Sequence, residues 1–308
     1  MNKKIQYGII GAGHLGHFHA QQILNLKNVS LVGIYDIDVS KANELVKKYN
    51  IKKFDDLLDL LERCEAVSIC TPASTHYEVA AIALNNNCHL FIEKPITHNY
   101  DDACKINNLN KKLNKKIQVG HIERFNSAYK EFAYTNPKPL FIESHRLSPF
   151  GERGLDVPVV LDLMIHDIDL ILSCVNSTVI DVHASGASVV SGLFDLANAR
   201  IEFANGCVAN ITASRISNKQ MRQMRVFEKN AYSVLDFQNQ TFKKWVVKNK
   251  KNIQESVGLS RPVNALYEEL KSFTTCINND LPTVVNEIEA TAALKIATKI
   301  QISIEKKL

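Results

Sequence analysis

No run of about 18 apolar residues occurs in the 308-residue chain, so no segment can span a bilayer as a helix. No C-x-x-C pair occurs either. The seven cysteines (Cys64, Cys70, Cys88, Cys104, Cys174, Cys207 and Cys276) are odd in number and mostly set in apolar runs. That pattern indicates neither a disulfide framework nor a zinc site, so no metal is expected, and the thiols should pack as small hydrophobes. The formal charge is +5, but the lysines are scattered, with local groups at 111–116 and 243–251. A nucleic-acid surface concentrates its charge, so no nucleic-acid partner is expected. The opening Met1-Asn2-Lys3-Lys4 has no apolar stretch or small-residue cleavage site, so the expected compartment is the cytoplasm. There is no internal repeat and no low-complexity linker. With 45% hydrophobic and 22% charged residues, the chain reads as an ordinary globular protein of two domains.

What is present first is a β-α-β rhythm. Strand-like apolar runs at 5–10, 30–35, 66–70, 89–92 and 116–120 alternate with helical patterns at 14–26, 41–49, 55–62, 75–86 and 101–113. Apolar strands alternating with helices predict a doubly wound parallel sheet of Rossmann type over residues 1–120. The rhythm then changes. After a helix at 126–134 come β-rich runs at 140–146, 179–187, 193–203, 207–214, 221–228, 232–237 and 242–247, joined by short polar turns. Asn205-Gly206 is a hairpin signal between two of them. Helices are expected at 158–174, 263–278 and 286–306. The expectation for residues 121–308 is therefore an α+β domain with a large, mainly antiparallel open sheet.

Gly11-Ala12-Gly13-His14-Leu15-Gly16 follows the first strand and opens a helix. The first glycine allows the tight turn, the second lets a pyrophosphate approach the backbone, and the third allows close helix–strand packing. The phosphates then sit at a helix N-terminus beside His14 and Leu15. Asp36 ends the second strand, 20 residues after Gly16, where an acid accepts from the ribose hydroxyls. Its carboxylate would repel a 2′-phosphate, so NAD is expected over NADP.

Further motifs lie beyond this fingerprint. Cys70-Thr71-Pro72-Ala73-Ser74-Thr75-His76 follows the third apolar strand of the 1–120 segment, and Phe91-Ile92-Glu93-Lys94-Pro95 follows the next. Asp162-Leu163-Met164-Ile165-His166-Asp167-Ile168-Asp169 lies in the 158–174 helix, and Pro282–Ala290 leads into the last one. With these motifs in this order, the chain resembles the Gfo/Idh/MocA family of sugar and inositol oxidoreductases. The resemblance implies a T-P-x-x-x-H turn beside the nicotinamide and an E-K-P signature whose proline is often cis. Thr71, Pro72, His76, Glu93 and Lys94 thus join the expected cofactor contacts. Lys94, Asp162 and His166 become the expected catalytic residues.

The residues support this reading on their own terms. Asp162, His166 and Asp169 are spaced i, i+4, i+7 and share a face of a helix that is otherwise apolar nearly all round. Burying them is costly unless they pair with one another or face a polar pocket. Asp167 points elsewhere and is expected to be structural. Lys94 ends an apolar strand, and strand ends form the ligand crevice of such sheets. His166 is the first choice as general base because its ordinary pKa is near neutrality. Lys94 would hydrogen-bond the developing alkoxide, and Asp162 would orient the imidazole. Which of Lys94 and His166 takes the proton stays open.

Two segments, Gly120–Asn126 and His145–Asp167, resemble family members that act on UDP-linked N-acetylhexosamines at the 3-hydroxyl. Arg124, Arg146 and Arg153 would meet the diphosphate, with salt bridges to Glu123, Glu143 or Glu152 as the alternative. Two readings compete with a nucleotide-sugar dehydrogenase: a free-polyol or inositol dehydrogenase, and a non-catalytic protein that senses cofactor or sugar. A homodimer or homotetramer is expected through the open sheet.

Overall fold

The computed structural model describes residues 3–151, 157–249, 252–258 and 261–306, and the chain divides into two compact units. Unit 1 comprises Met1–His121 with Leu266–Thr291, and unit 2 comprises Ile122–Ala265 with Ala292–Leu308. The boundary near residue 120 is where the rhythm of the chain changes. The expected single run 121–308 is not one body, because residues 266–291 belong to unit 1.

Unit 1 is built on a parallel sheet of β1 (Ile5–Ile10), β2 (Val29–Tyr35), β3 (Ala66–Ile69), β4 (His89–Ile92) and β5 (Ile117–Val119). Their spatial order is β2-β1-β3-β4-β5. A parallel bridge from Ile34 to Lys53 adds a rudimentary strand outside β2. Counting that strand as the third in sequence, the order becomes 3-2-1-4-5-6, that of the dinucleotide-binding sheet. The chain reverses direction across the sheet between β1 and β3, and ligands bind outside the carboxyl ends of strands at such a point.

The helices α1 (His14–Ile23), α2 (Val39–Tyr49), α3 (Leu57–Leu61), α4 (His76–Asn85) and α5 (Tyr100–Leu113) make the crossovers. Asp38, Asp56 and Asn99 cap α2, α3 and α5 through backbone N–H groups. Strands covered on both faces can be apolar throughout, and β3 and most of β1 are buried. The segment that returns to unit 1 explains its own placement. In α8 (Ala265–Asn279), Leu270 and Phe273 are fully buried in the core formed by Tyr7, Ile9, Ile34 and Phe91. Phe273 meets the rings of Tyr7 and Phe91 edge-on at 6.3 and 5.9 Å.

Unit 2 holds α6 (Ser127–Tyr134), β6 (Phe141–Leu147), a π-helical turn at Val160–Met164, α7 (Ile165–Cys174) and β7 (Val179–Ala187). It continues through β8 (Leu196–Phe203), β9 (Val208–Ser214), β10 (Met221–Glu228), β11 (Ala231–Asp236), β12 (Thr241–Asn249) and β13 (Asn252–Val257). Most of α9 (Glu287–Glu305) completes it. The eight strands run β13-β12-β11-β10-β6-β9-β8-β7, antiparallel except for the β6–β9 pair. Gly206 takes a positive φ of 85° in the Asn-Gly turn between β8 and β9, as a tight hairpin requires.

Burial alternates along the central strands. Ile142, Ala199, Ile211 and Met224 are buried. On the opposite face Phe141, Phe227, Tyr232 and Trp245 form a ladder across four strands, with ring centroids 4.8–5.9 Å apart. Strand β13 was not expected. Its sequence, Asn-Ile-Gln-Glu-Ser-Val, is mostly polar, and an edge strand need not alternate. The 158–174 helix begins with a π turn, the form of helix that carries Asp162.

Candidate active site

In unit 1 the glycine motif builds an anion cradle. Gly11 has φ of 102°, and a Cβ there would lie 2.7–2.9 Å from the backbone of Cys70 and Thr71, so the β1 turn packs directly on the β3 turn. A Cβ on Gly16 would lie 2.1 Å from the carbonyl oxygen of Gly11, so only glycine lets α1 start this close to the strand. At Gly13 the Cβ position is open, which leaves the backbone approachable. Helices α2, α3, α5 and α6 are each capped by a side chain, whereas α1 has no side-chain cap and no acid in its first turn. Uncapped N–H groups and the helix dipole fit a bound pyrophosphate. His14 and Leu15 stand exposed at this helix start.

Asp36 is half-buried, and two backbone groups fix it. Ala12 N–H donates to Oδ2 at 2.5 Å and Asp38 N–H donates to Oδ1 at 2.7 Å. The carboxylate is thereby tied to the glycine turn, with lone pairs left for a ribose. Lys41 does not neutralise it, since its ammonium lies 3.3 Å from Asp38 instead. We therefore expect NAD(H) to bind at least about 10-fold more tightly than NADP(H), a difference of about 1.4 kcal/mol. Calorimetric titration with both cofactors checks this, and tighter NADP(H) would contradict the role given to Asp36.

The structure draws Thr71, His76, Glu93 and Lys94 together at the ends of β3 and β4, in roles that differ from those expected. His76 is buried, with Nδ1 2.9 Å from the Pro95 carbonyl and Nε2 2.9 Å from the Thr71 carbonyl. It clasps the two turns to each other, with both ring nitrogens facing backbone carbonyls. Carbonyls only accept, so both bonds form together when the imidazole carries two protons. Burial lowers the pKa of His76, while the two carbonyls and Glu93 work against that shift.

Glu93 is likewise turned inward. His19 Nε2 lies 2.8 Å from its Oε1, and Lys94 N–H donates to Oε2 at 3.3 Å. Burial pushes the Glu93 carboxyl up, but His19, Lys94 and His76 outweigh it and hold it below the ordinary value. Lys94 itself is half-buried, and its peptide bond to Pro95 is cis. Thr71 is half-buried and Pro72 exposed. The sequence reading passed over His19. Its signal was available: Gly16, His19, Ala20 and Ile23 form the buried stripe of α1, and one member of that stripe is a polar ring.

In unit 2 the helix α7 and its π turn are buried except at a few positions, among them Asp162, Leu163 and His166. The stripe therefore keeps two of its three expected members. Asp169 has left it, being 2% exposed and paired bidentately with Arg124 (Nε to Oδ2 2.6 Å, Nη2 to Oδ1 2.9 Å). Asp167 is structural, as expected. Its partner is Arg146, whose Nε donates to Oδ2 at 2.7 Å while Nη1 donates to Glu123 at 2.7 Å. Ser144 donates to Asp167 at 2.8 Å, and Asn126 to Glu123 at 3.0 Å. Arg146 is 3% exposed, so the expected phosphate contact is corrected: its guanidinium is committed to two buried carboxylates. Burial opposes that charge, but Asp167 and Glu123 more than offset it. Arg124 is bound in the same manner to Asp169. Arg153 lies outside the described residues.

Among the described residues no helix is long and apolar enough to cross a membrane, and all seven cysteines are free thiols.

The comparisons with known proteins match this geometry. A family model described as an oxidoreductase family with an NAD-binding Rossmann fold matches residues 5–121. The GFO/IDH/MocA C-terminal domain matches residues 111–232. The UDP-N-acetylglucosamine 3-dehydrogenase of Acidithiobacillus ferrooxidans is 33% identical over 305 residues, covering 97% of this chain and 96% of that protein. A solved structure of that enzyme superimposes with a TM-score of 0.94 at 32% identity, over 98% of each chain. The NAD-dependent scyllo-inositol 2-dehydrogenase of Bacillus subtilis is 24% identical, covering 96% of this chain and 93% of that one.

Proposed function

The chain belongs to the Gfo/Idh/MocA family of NAD-binding oxidoreductases, and on that premise we propose that it oxidises the 3-hydroxyl of UDP-N-acetylglucosamine in the cytoplasm. The observation that carries the substrate is the likeness, over nearly the whole of both chains, to a dehydrogenase of that name. The arginine argument for a diphosphate no longer supports it, since Arg124 and Arg146 are held by Asp169, Asp167 and Glu123. That loss favours a second reading, oxidation of a free polyol, as the named alternative outcome of the test.

NAD supplies the hydride acceptor when bound at Gly11, Gly13, Gly16 and Asp36. The proton is the task of this chain's own side chains. His166 takes it from the substrate hydroxyl, and Lys94 hydrogen-bonds the oxygen as it gains charge, a division consistent with an imidazole whose ordinary pKa lies near neutrality. Asp162 orients the imidazole. NADH formation with UDP-N-acetylglucosamine, UDP-N-acetylgalactosamine, glucose, myo-inositol and scyllo-inositol tests the proposal. Turnover is expected with the UDP sugars, and turnover confined to an inositol would replace them by a polyol.

The aromatic ladder of unit 2 bears on assembly. Phe141, Phe227, Tyr232 and Trp245 lie on the sheet face opposite its buried residues, flanked by the ion pairs Glu143–Arg225 and Lys243–Glu255. A contiguous apolar strip rimmed by charge is the surface expected of a protein interface. A homodimer or homotetramer formed through this face is expected in light scattering, and a monomer of 34.6 kDa would contradict it.

A further inference from the structure

Beneath the turn that carries Lys94 runs a buried chain of hydrogen bonds, and its members come from four elements. Tyr7 Oη on β1 lies 2.9 Å from Ser68 Oγ on β3, and Ser68 Oγ lies 2.8 Å from Nδ1 of His19 on α1. His19 Nε2 lies 2.8 Å from Glu93 Oε1 at the end of β4, and Glu93 Oε2 accepts from the Lys94 N–H. Tyr7, Ser68 and His19 are fully buried and Glu93 nearly so. The far side of the carboxylate is closed as well, because a Cβ on Gly120 would lie 2.9 Å from Oε2.

One direction of donation satisfies every member. Tyr7 donates to Ser68, Ser68 donates to Nδ1, and a neutral imidazole protonated at Nε2 donates to an ionised Glu93. In the reverse direction the phenol proton would need another buried acceptor. A buried polar network that is fully satisfied in one arrangement fixes geometry, since any departure leaves an unpaired group in the core.

We propose that His19 is a positioning residue for the reaction: it pins the Glu93 carboxylate, and through it the turn from which Lys94 is presented. The inference rests on the oxidoreductase reading of the site. It concerns which group holds Lys94 in place, and His19 itself does not touch the reacting atoms.

The test compares His19→Ala and His19→Gln with the wild-type enzyme in three measurements. In turnover, His19→Ala lowers kcat about 10–100-fold, the cost of a slightly misplaced catalytic group, with KM for NAD little changed. His19→Gln recovers most of the loss, because its amide N–H reaches toward Glu93. In the pH profile of kcat, His166 sets the first acid limb in both enzymes, and the further limb that Glu93 protonation adds below it begins at higher pH in His19→Ala. Without its donor Glu93 keeps the burial that raises its pKa, with Lys94 and His76 among the groups that still lower it, while Cys70 lies close and adds no positive charge. A merely structural loss scales activity at every pH and leaves that limb in place.

The third measurement needs no substrate. Hydrogen exchange at the Lys94 amide is faster in His19→Ala, while peptides of β1 keep their protection. If the wild-type enzyme turned over none of the sugars, the substrate reading would fail and the exchange result would still decide this one. Unchanged exchange at Lys94 overturns the proposal, as does faster exchange with wild-type kcat and pH profile. Should His19→Ala not fold, Ser68→Ala carries the same tests. It removes the imidazole's other partner together with the acceptor of the Tyr7 hydroxyl and leaves the His19–Glu93 bond in place, so smaller changes of the same sign are expected, and none at all overturns the proposal.

Discussion

Lys94→Ala and His166→Ala each lower kcat about 10²–10⁴-fold, the contribution of a positioned proton-transfer group, while NADH affinity changes little. The two halves of this expectation come from different residues. The proposed dinucleotide site is Gly11, Gly13 and Gly16, the uncapped start of α1, and Asp36, and neither substitution touches these. Lys94 is half-buried at the end of β4, and His166 is half-buried on a helix whose neighbouring positions are mostly buried. Such exposure fits groups turned to a substrate rather than to the core. Steady-state kinetics with fluorescence titration of NADH separates the outcomes. Near-full activity in either variant would remove that residue from the chemistry. Loss of NADH binding in both would make them structural.

Arg146→Met is expected to act on stability. Removing the guanidinium leaves Asp167 and Glu123 as two carboxylates in the core of unit 2, with only Ser144 and Asn126 as the remaining named donors. Breaking a buried ion pair by removing one partner costs about 3–5 kcal/mol, because the surviving charge stays buried. Arg225→Met is the control. Its ion pair to Glu143 is 3.6 Å long and partly exposed, and surface pairs contribute at most about 1 kcal/mol. Denaturant melts of the two variants check the contrast. If Arg146→Met kept wild-type stability and instead raised KM for a UDP sugar, the arginine would be a phosphate ligand after all.

The contrast between Arg146 and the glycine motif shows what was legible in the sequence. Gly11, Gly13 and Gly16 act through backbone geometry and local spacing, and local spacing is visible in a linear string. The strand, turn and helix around them follow from periodicity. Arg146 acts through Asp167 and Glu123, which lie on α7 and on the 3₁₀ turn Ile122–Phe125. A sequence shows that an arginine is present but not which carboxylate will reach it once β6 and α7 pack. The same holds for His76 and Glu93. Their motifs marked the right turns, yet which groups the side chains bond was not visible: both face inward and brace those turns. Asp169 left the i, i+7 stripe because Arg124 binds it. The return of α8 to unit 1 was hidden for a related reason: its apolar residues announce a buried face but not the sheet that buries it.

In the proposed reaction a hydride moves from C3 of an N-acetylhexosamine on UDP to NAD. The most direct measurement uses UDP-N-acetylglucosamine deuterated at C3 and determines the mass of the reduced cofactor. The expected NADH is one mass unit heavier and forms more slowly than from the unlabelled sugar. Reduced cofactor without deuterium, or none formed while an inositol reacts, would contradict it.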